Sequence, residues 1–109
     1  MDNFKQLGLS EELLKVIEKI GFTKPTPIQE QAIPILLENN PTDFIGLAQT
    51  GTGKTAAFGL PLIDLVDSTS KATRALIMAP TRELGQQTAK QLVEFSANNK
   101  ALNVEVVYG

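Results

Sequence analysis

Apolar positions follow a helical rhythm near the N-terminus and change to short unbroken runs further along the chain. Leu13, Val16, Ile17 and Ile20 form one stripe of a helix predicted over 10–20. Ser10 is its N-cap, Glu11 and Glu12 place negative charge at the positive end of the dipole, and Gly21 is the C′ residue. Leu9 and Leu14 occupy the two positions of a hydrophobic staple. After Phe22, the stretch Thr23-Lys24-Pro25-Thr26-Pro27 is restricted to extended and turn geometry by its prolines. A second helix is predicted from Thr26, with Pro27 at its first position, to about Glu38. Pro34 lies inside it and removes one backbone hydrogen bond. Asn39-Asn40-Pro41-Thr42 is turn chemistry.

From there the runs are of strand length. Phe44 to Ala48, Ala75 to Ala79 and Leu102 to Tyr108 read as three buried strands. Between them lie a helix from about Gly53 into Leu65, an exposed loop over 67–73, and a helix from Thr81 to about Ala97 with Leu84, Leu92, Val93 and Phe95 on its apolar face. The order helix, helix, β-α-β-α-β predicts an α/β fold with a parallel sheet and right-handed crossovers. Phe44, Phe58 and Phe95 read as core residues, and Tyr108 is undecided.

Composition narrows the chemistry. The 109 residues are 42% apolar and 20% charged, a globular balance of about one domain's size. Ten Lys and Arg against twelve Asp and Glu give a net charge of −2. A broad basic face for duplex nucleic acid is thereby disfavoured, whereas a few donors along a groove are not. With no Cys and no His, disulfide scaffolds, Cys/His zinc sites, thiol nucleophiles and imidazole triads are excluded. No apolar run approaches the roughly 20 residues of a membrane span, so a cytoplasmic location and no membrane partner are expected.

The strongest chemical signal is Ala48-Gln49-Thr50-Gly51-Thr52-Gly53-Lys54-Thr55, a phosphate-loop pattern with Ala in place of the first Gly, set between a predicted strand and helix. Gly51 and Gly53 let the backbone turn its N–H groups inward as an anion nest, and the following helix presents its positive end to phosphate. Lys54 is expected to reach the β- and γ-phosphates and Thr55 to ligate Mg²⁺ through its hydroxyl, which makes them the expected catalytic pair. Kinases, GTPases, transporters and helicases all use such a loop. GTPases select guanine with an Asn/Lys-Asp type motif, and no Lys-Asp pair occurs here.

Two further segments discriminate. Gly21-Phe22-Thr23-Lys24-Pro25-Thr26-Pro27-Ile28-Gln29 precedes the loop and Pro80-Thr81-Arg82-Glu83-Leu84-Gly85-Gln86-Gln87 follows it. With Ala48–Thr55, in this order and spacing, they closely resemble the DEAD-box RNA helicases: the Q motif, the phosphate loop and motif Ia. Phe4 matches the isolated aromatic upstream of the Q motif, so the resemblance runs from Phe4 to Gly109.

It implies a RecA-like P-loop NTPase fold, three α-β-α layers around a parallel sheet. Residues 1–41 would form an N-terminal helical segment with the Q motif, and 42–109 the start of the ATP-binding domain. It also implies that Gln29 hydrogen-bonds the adenine edge, Phe22 stacks on the base, and Thr26 links the Q motif to the phosphate loop. Pro80, Thr81 and Arg82 would lie along the RNA backbone. Gly109 would be the first Gly of a Gly-Gly motif near the RNA. ATP or ADP with Mg²⁺ are the implied cofactors, and RNA, single-stranded or structured, is the implied partner.

Each assignment has a plainer structural alternative. Thr26-x-x-Gln29 is itself a capping box. Phe22 and Phe4 could be packing residues. Thr81 could serve only as an N-cap, with Arg82 a solvated side chain. Gly85 departs from the family's usual Ala and would loosen its helix by up to ~1 kcal/mol.

No Asp-Glu-Ala-Asp sequence and no Ser-Ala-Thr motif occur in the chain. The expectation is therefore an N-terminal part of a longer ATP-dependent RNA helicase that needs a second RecA-like domain, with the piece inactive by itself. The alternatives are an adenine-nucleotide or RNA-binding module without turnover, or another P-loop NTPase. Since strands from later in the chain flank the phosphate-loop strand in that family, exposed apolar edges and marginal stability or self-association are also expected.

Overall fold

Helix caps rather than hydrophobic periodicity set most of the observed boundaries. The computed structural model describes residues 3–38, 43–47, 53–66, 75–99 and 102–107. A 3₁₀ turn at Phe4–Leu7 precedes four helices: α1 (Glu11–Ile20), α2 (Pro27–Leu36), α3 (Lys54–Leu65) and α4 (Arg82–Phe95). The Ser10, Thr26 and Thr81 side chains accept from the backbone N–H of Leu13, Gln29 and Leu84, so three of the four α-helices start where an oxygen can satisfy an orphan donor. Helix α2 tolerates Pro34 but ends at Leu36, two residues short of the predicted end, and α4 stops at Phe95 rather than near Ala97.

Gly21 closes α1 with φ of 112°, a left-handed conformation that favours glycine. Its N–H donates to the Glu18 carbonyl at 3.1 Å, and the Phe22 N–H donates to the Ile17 carbonyl at 2.9 Å, the two bonds of a Schellman motif. That motif carries Phe22 back toward the helix it has just left.

The core is a helix-packing core. Ile17, Ile33 and Leu60 are fully buried where α1, α2 and α3 meet, joined by Phe4, Leu13 and Phe95. Gly59 lets α3 approach α4 closely, since a Cβ there would lie 2.9 Å from Leu92 Cδ2. Asp64, in the last turn of α3, accepts the Ser10 backbone N–H and the Ser10 hydroxyl, both at 2.8 Å. A carboxylate at the negative end of its own helix is locally unfavourable. Here it also caps the positive end of α1, and so ties the first helix to the third.

The three predicted strands are corrected by the structure: among the described residues, 43–47, 75–79 and 102–107 form no strand. A strand exists only by pairing, and an unpaired segment leaves its polar backbone groups to water. Their side chains report the same situation, with Ile45 87%, Leu47 92% and Met78 85% exposed.

The second and third of these segments nonetheless lie against the same helix. A Cβ on Gly85 of α4 would touch Ala79 and Val106, each at 4.0 Å, so α4 lies across the second and third segments. Leu102 and Val104 pack against the core while Asn103 and Glu105 are exposed, a two-residue alternation like that of a half-covered strand.

Candidate nucleotide site

The start of α3 differs from the other three α-helix starts. Its N-cap is Gly53, in the left-handed region at φ 84°, with no side-chain cap. The first N–H groups of the helix therefore depend on another partner, and an anion at a helix N-terminus supplies one. Lys54 opens the helix as an exposed ammonium, and Thr55 beside it is half-buried.

Gln29 reaches this point from α2. Its side chain is 3% exposed although a carboxamide is strongly polar. Burial is compensated by two hydrogen bonds: Oε1 accepts the Thr26 backbone N–H at 2.9 Å, and Nε2 donates to the Gly53 carbonyl at 3.1 Å. The same Gly53 carbonyl accepts the Ala57 N–H at 3.1 Å, the first bond of α3, so both of its lone pairs are used.

Glycine at 53 is needed twice over. Its backbone conformation is left-handed, and a Cβ would overlap the Gln29 amide nitrogen and lie 3.1 Å from Gln29 Cδ. Thr26 Oγ1 accepts the Gln29 backbone N–H at 3.4 Å, which completes the capping box. The capping role weighed for Thr26 and Gln29 is thus present, and beyond it the box is bound to the first carbonyl of α3.

Phe22 is half-buried. Its ring lies 6.0 Å from that of Phe4, tilted by 30°, and 5.8 Å from that of Phe95, edge-on at 70°. Phe4 is buried as a packing residue, and Phe22 packs at the margin of the core with part of its surface open.

Pro80, Thr81 and Arg82 are exposed at the start of α4. Thr81 Oγ1 caps that helix through the Leu84 N–H at 3.1 Å. Arg82 is the first residue of the helix, where a cation opposes the dipole. Ala48, Gln49, Thr50, Gly51, Thr52 and Gly109 lie outside the described residues. Gln29, Gly53, Lys54 and Thr55 are thus brought together; Phe22 lies with Phe4 and Phe95, and 80–82 stand at the start of another helix.

Sequence reasoning missed the bond from Gln29 to Gly53 and the Asp64 clamp. The second had a readable signal, an acidic residue in the last turn of a helix that is otherwise apolar after Thr55.

The model of the DEAD/DEAH box helicase family matches residues 26–109. An ATP-dependent RNA helicase CshA of Limosilactobacillus reuteri is 53% identical over 106 residues, which is 97% of this chain and 21% of that protein. The DEAD-box ATP-dependent RNA helicase CshA of Geobacillus kaustophilus is 49% identical over 109 residues, 100% of this chain and 23% of that one. The chain therefore spans about a fifth of the length of these curated relatives.

Among solved structures, S. cerevisiae Dbp5 bound to RNA and ADP BeF3 superposes with a TM-score of 0.87 at 43% identity, covering 92% of this chain and 26% of that one. The RNA-helicase Prp28 from Chaetomium thermophilum bound to ADP gives 0.85 at 43%, covering 100% and 27%. The fold class is thus the RecA-like α/β fold of these helicases.

Proposed function

The chain belongs to the DEAD/DEAH box helicase family, and on that premise we propose that it carries the adenine-nucleotide site and part of the RNA contact surface of an ATP-dependent RNA helicase. The observation that carries the reading is the valence left on Gln29. With Oε1 taken once by Thr26 and Nε2 once by Gly53, one lone pair and one N–H remain. Neither partner tolerates the flipped amide, because the Thr26 N–H only donates and the Gly53 carbonyl only accepts. One acceptor beside one donor complements adenine, which offers N6–H₂ and N7, whereas guanine presents acceptors at both O6 and N7.

The remaining roles belong to the same proposal. Phe22 offers its open ring surface to the base, and Lys54 and the uncapped N–H groups of α3 meet the phosphates of ATP or ADP. Mg²⁺ held by one hydroxyl and nucleotide phosphates needs no cage of carboxylates, which the half-buried Thr55 at the head of α3 fits. When bound, the metal neutralises charge on the transferred phosphoryl group.

Pro80, Thr81 and Arg82, exposed at the start of α4, contact the sugar–phosphate backbone of RNA. Ala48–Thr52 complete the phosphate loop, and Gly109 begins the next RNA contact. Residues 1–41 form the helical Q-motif segment and 42–109 the start of the ATP-binding domain. In the whole protein, a second RecA-like domain closes on RNA and ATP together, short duplexes are parted locally, and hydrolysis resets the clamp. The same reading places the protein in the cytoplasm; among the described residues no helix is long and apolar enough to cross a membrane.

Thermal melts with Mg²⁺ and either ADP, GDP or no nucleotide test the site, since a ligand bound only to the folded state raises stability by RT ln(1 + [L]/Kd). ADP is expected to stabilise and GDP to do so far less, with both effects lost in Lys54→Ala. Equal shifts from ADP and GDP refute the adenine role of Gln29 while leaving the phosphate site intact.

A further inference from the structure

Three aromatic rings meet at the margin of the core, each brought by a different element. Phe4 opens the 3₁₀ turn, Phe22 follows α1, and Phe95 is the last residue of α4. Only Phe22 keeps part of its surface open, while Phe4 is 4% and Phe95 3% exposed.

The Schellman motif fixes the backbone of Phe22 through its N–H bond to the Ile17 carbonyl. What the backbone leaves free is the ring, which can still turn about χ1 and χ2. Phe95 limits that freedom: its ring meets that of Phe22 edge-on, at 5.8 Å and 70°, an arrangement that aromatic pairs favour. Phe95 is held in its turn. A Cβ on Gly59 of α3 would lie 3.8 Å from Phe95 Cδ2 and 2.9 Å from Leu92 Cδ2, so Phe95 stands on the close contact between α3 and α4. The head of α3 carries Lys54 and Thr55. One intervening side chain thus ties the Phe22 ring to the helix that opens the phosphate site.

We infer that Phe95 is a positioning residue for the adenine base, acting through Phe22 rather than on the nucleotide. This role rests on the stacking proposed for Phe22. A ring that is ordered before the base arrives loses less freedom when the base binds, and the affinity gained in this way belongs to the adenosine part of the ligand alone. A leucine or methionine at 95 fills the apolar volume at modest cost but offers no ring edge to Phe22.

The test is isothermal titration calorimetry on the full 109-residue chain with Mg²⁺, measuring the affinities for ADP and for inorganic pyrophosphate. Their ratio isolates the adenosine part of binding from the phosphate part. Phe95→Leu and Phe95→Met, two ring-free variants, are each expected to weaken ADP binding about fivefold and to leave pyrophosphate binding unchanged. Phe95→Tyr keeps the ring and is expected to keep the ratio within about twofold. Phe22→Leu is expected to lower the ratio, and adding Phe95→Leu to it should lower the ratio no further, because a ring that is gone cannot be positioned.

An unchanged ratio in Phe95→Leu and Phe95→Met, with a lowered one in Phe22→Leu, overturns the inference and leaves the stacking role standing. Equal weakening of ADP and pyrophosphate also overturns it, because Phe95 is then a core residue only. So does a further fall in the double variant, since Phe95 then acts independently of Phe22. An unchanged ratio in Phe22→Leu refutes the stacking role itself, and absence of ADP binding to the unaltered chain refutes the nucleotide site; the positioning role falls with either.

Discussion

Replacing Gln29 by Ala removes a buried side chain that joins two helices, and its cost can be worked from the geometry. The Thr26 N–H loses its 2.9 Å partner at a half-buried position, a loss of about 1 kcal/mol. The Gly53 carbonyl keeps Ala57 as a donor, so losing the 3.1 Å bond from Nε2 costs less, about 0.5–1 kcal/mol. Withdrawing one buried methylene from the contact adds about 0.8 kcal/mol. Alanine's better helix propensity returns a few tenths of that.

The losses win, and the net is a destabilisation of about 2 kcal/mol. A residue acting only as an exposed capping-box partner would cost about 1 kcal/mol or less. Urea unfolding followed by far-UV circular dichroism separates the two cases, because the midpoint shifts with stability while the slope reports the surface exposed. A second arm repeats the measurement with Mg²⁺ and ADP or GDP, where the variant should lose most of the preference for ADP. A midpoint shift that, multiplied by an unchanged slope, amounts to less than about 0.5 kcal/mol, with the preference intact, would refute both the energetic weight of the bridge to Gly53 and the adenine role.

Three further outcomes are expected. Gly53→Ala forces a left-handed alanine and drives a Cβ into the Gln29 amide; it should abolish ADP-dependent stabilisation and cost about 1–3 kcal/mol in the nucleotide-free melt. Gly85→Ala should do the reverse and stabilise by about 1 kcal/mol, because its backbone lies inside α4 and the new Cβ meets Ala79 and Val106 at an ordinary 4.0 Å; an unchanged or lowered melting temperature would contradict that packing. With Leu47 and Met78 almost wholly exposed on unpaired segments, the chain should self-associate in sedimentation velocity as its concentration rises, and Leu47→Lys with Met78→Lys should reduce the association; a compact monomer at every concentration would count against it.

Much of the local structure was legible because its causes are local. Ser10, Thr26 and Thr81 act within three residues of themselves, and Gly21 closes α1 through bonds to Ile17 and Glu18. Lys54 and Thr55 stand at the head of α3 where the phosphate-loop pattern places them. The three strands were read from apolar runs, and runs of that kind record what a segment is fit to pair with, not whether a partner strand is beside it.

The chain by itself determined where helices begin, that a glycine-lysine-threonine turn opens α3, and which family's motifs it carries. Only the tertiary structure decided what those pieces do to one another. Gln29 meets Gly53 across 24 residues of sequence and Asp64 meets Ser10 across 54, and neither partner can be named from local sequence because the contacts form only when helices pack. A capping box became a bridge to the head of another helix, and an acidic residue misplaced for its own helix became the cap of another. Both depend on the same physics: a polar group finds the partner that the packed helices bring beside it, and in a folded chain the nearest partner in space is often distant in sequence.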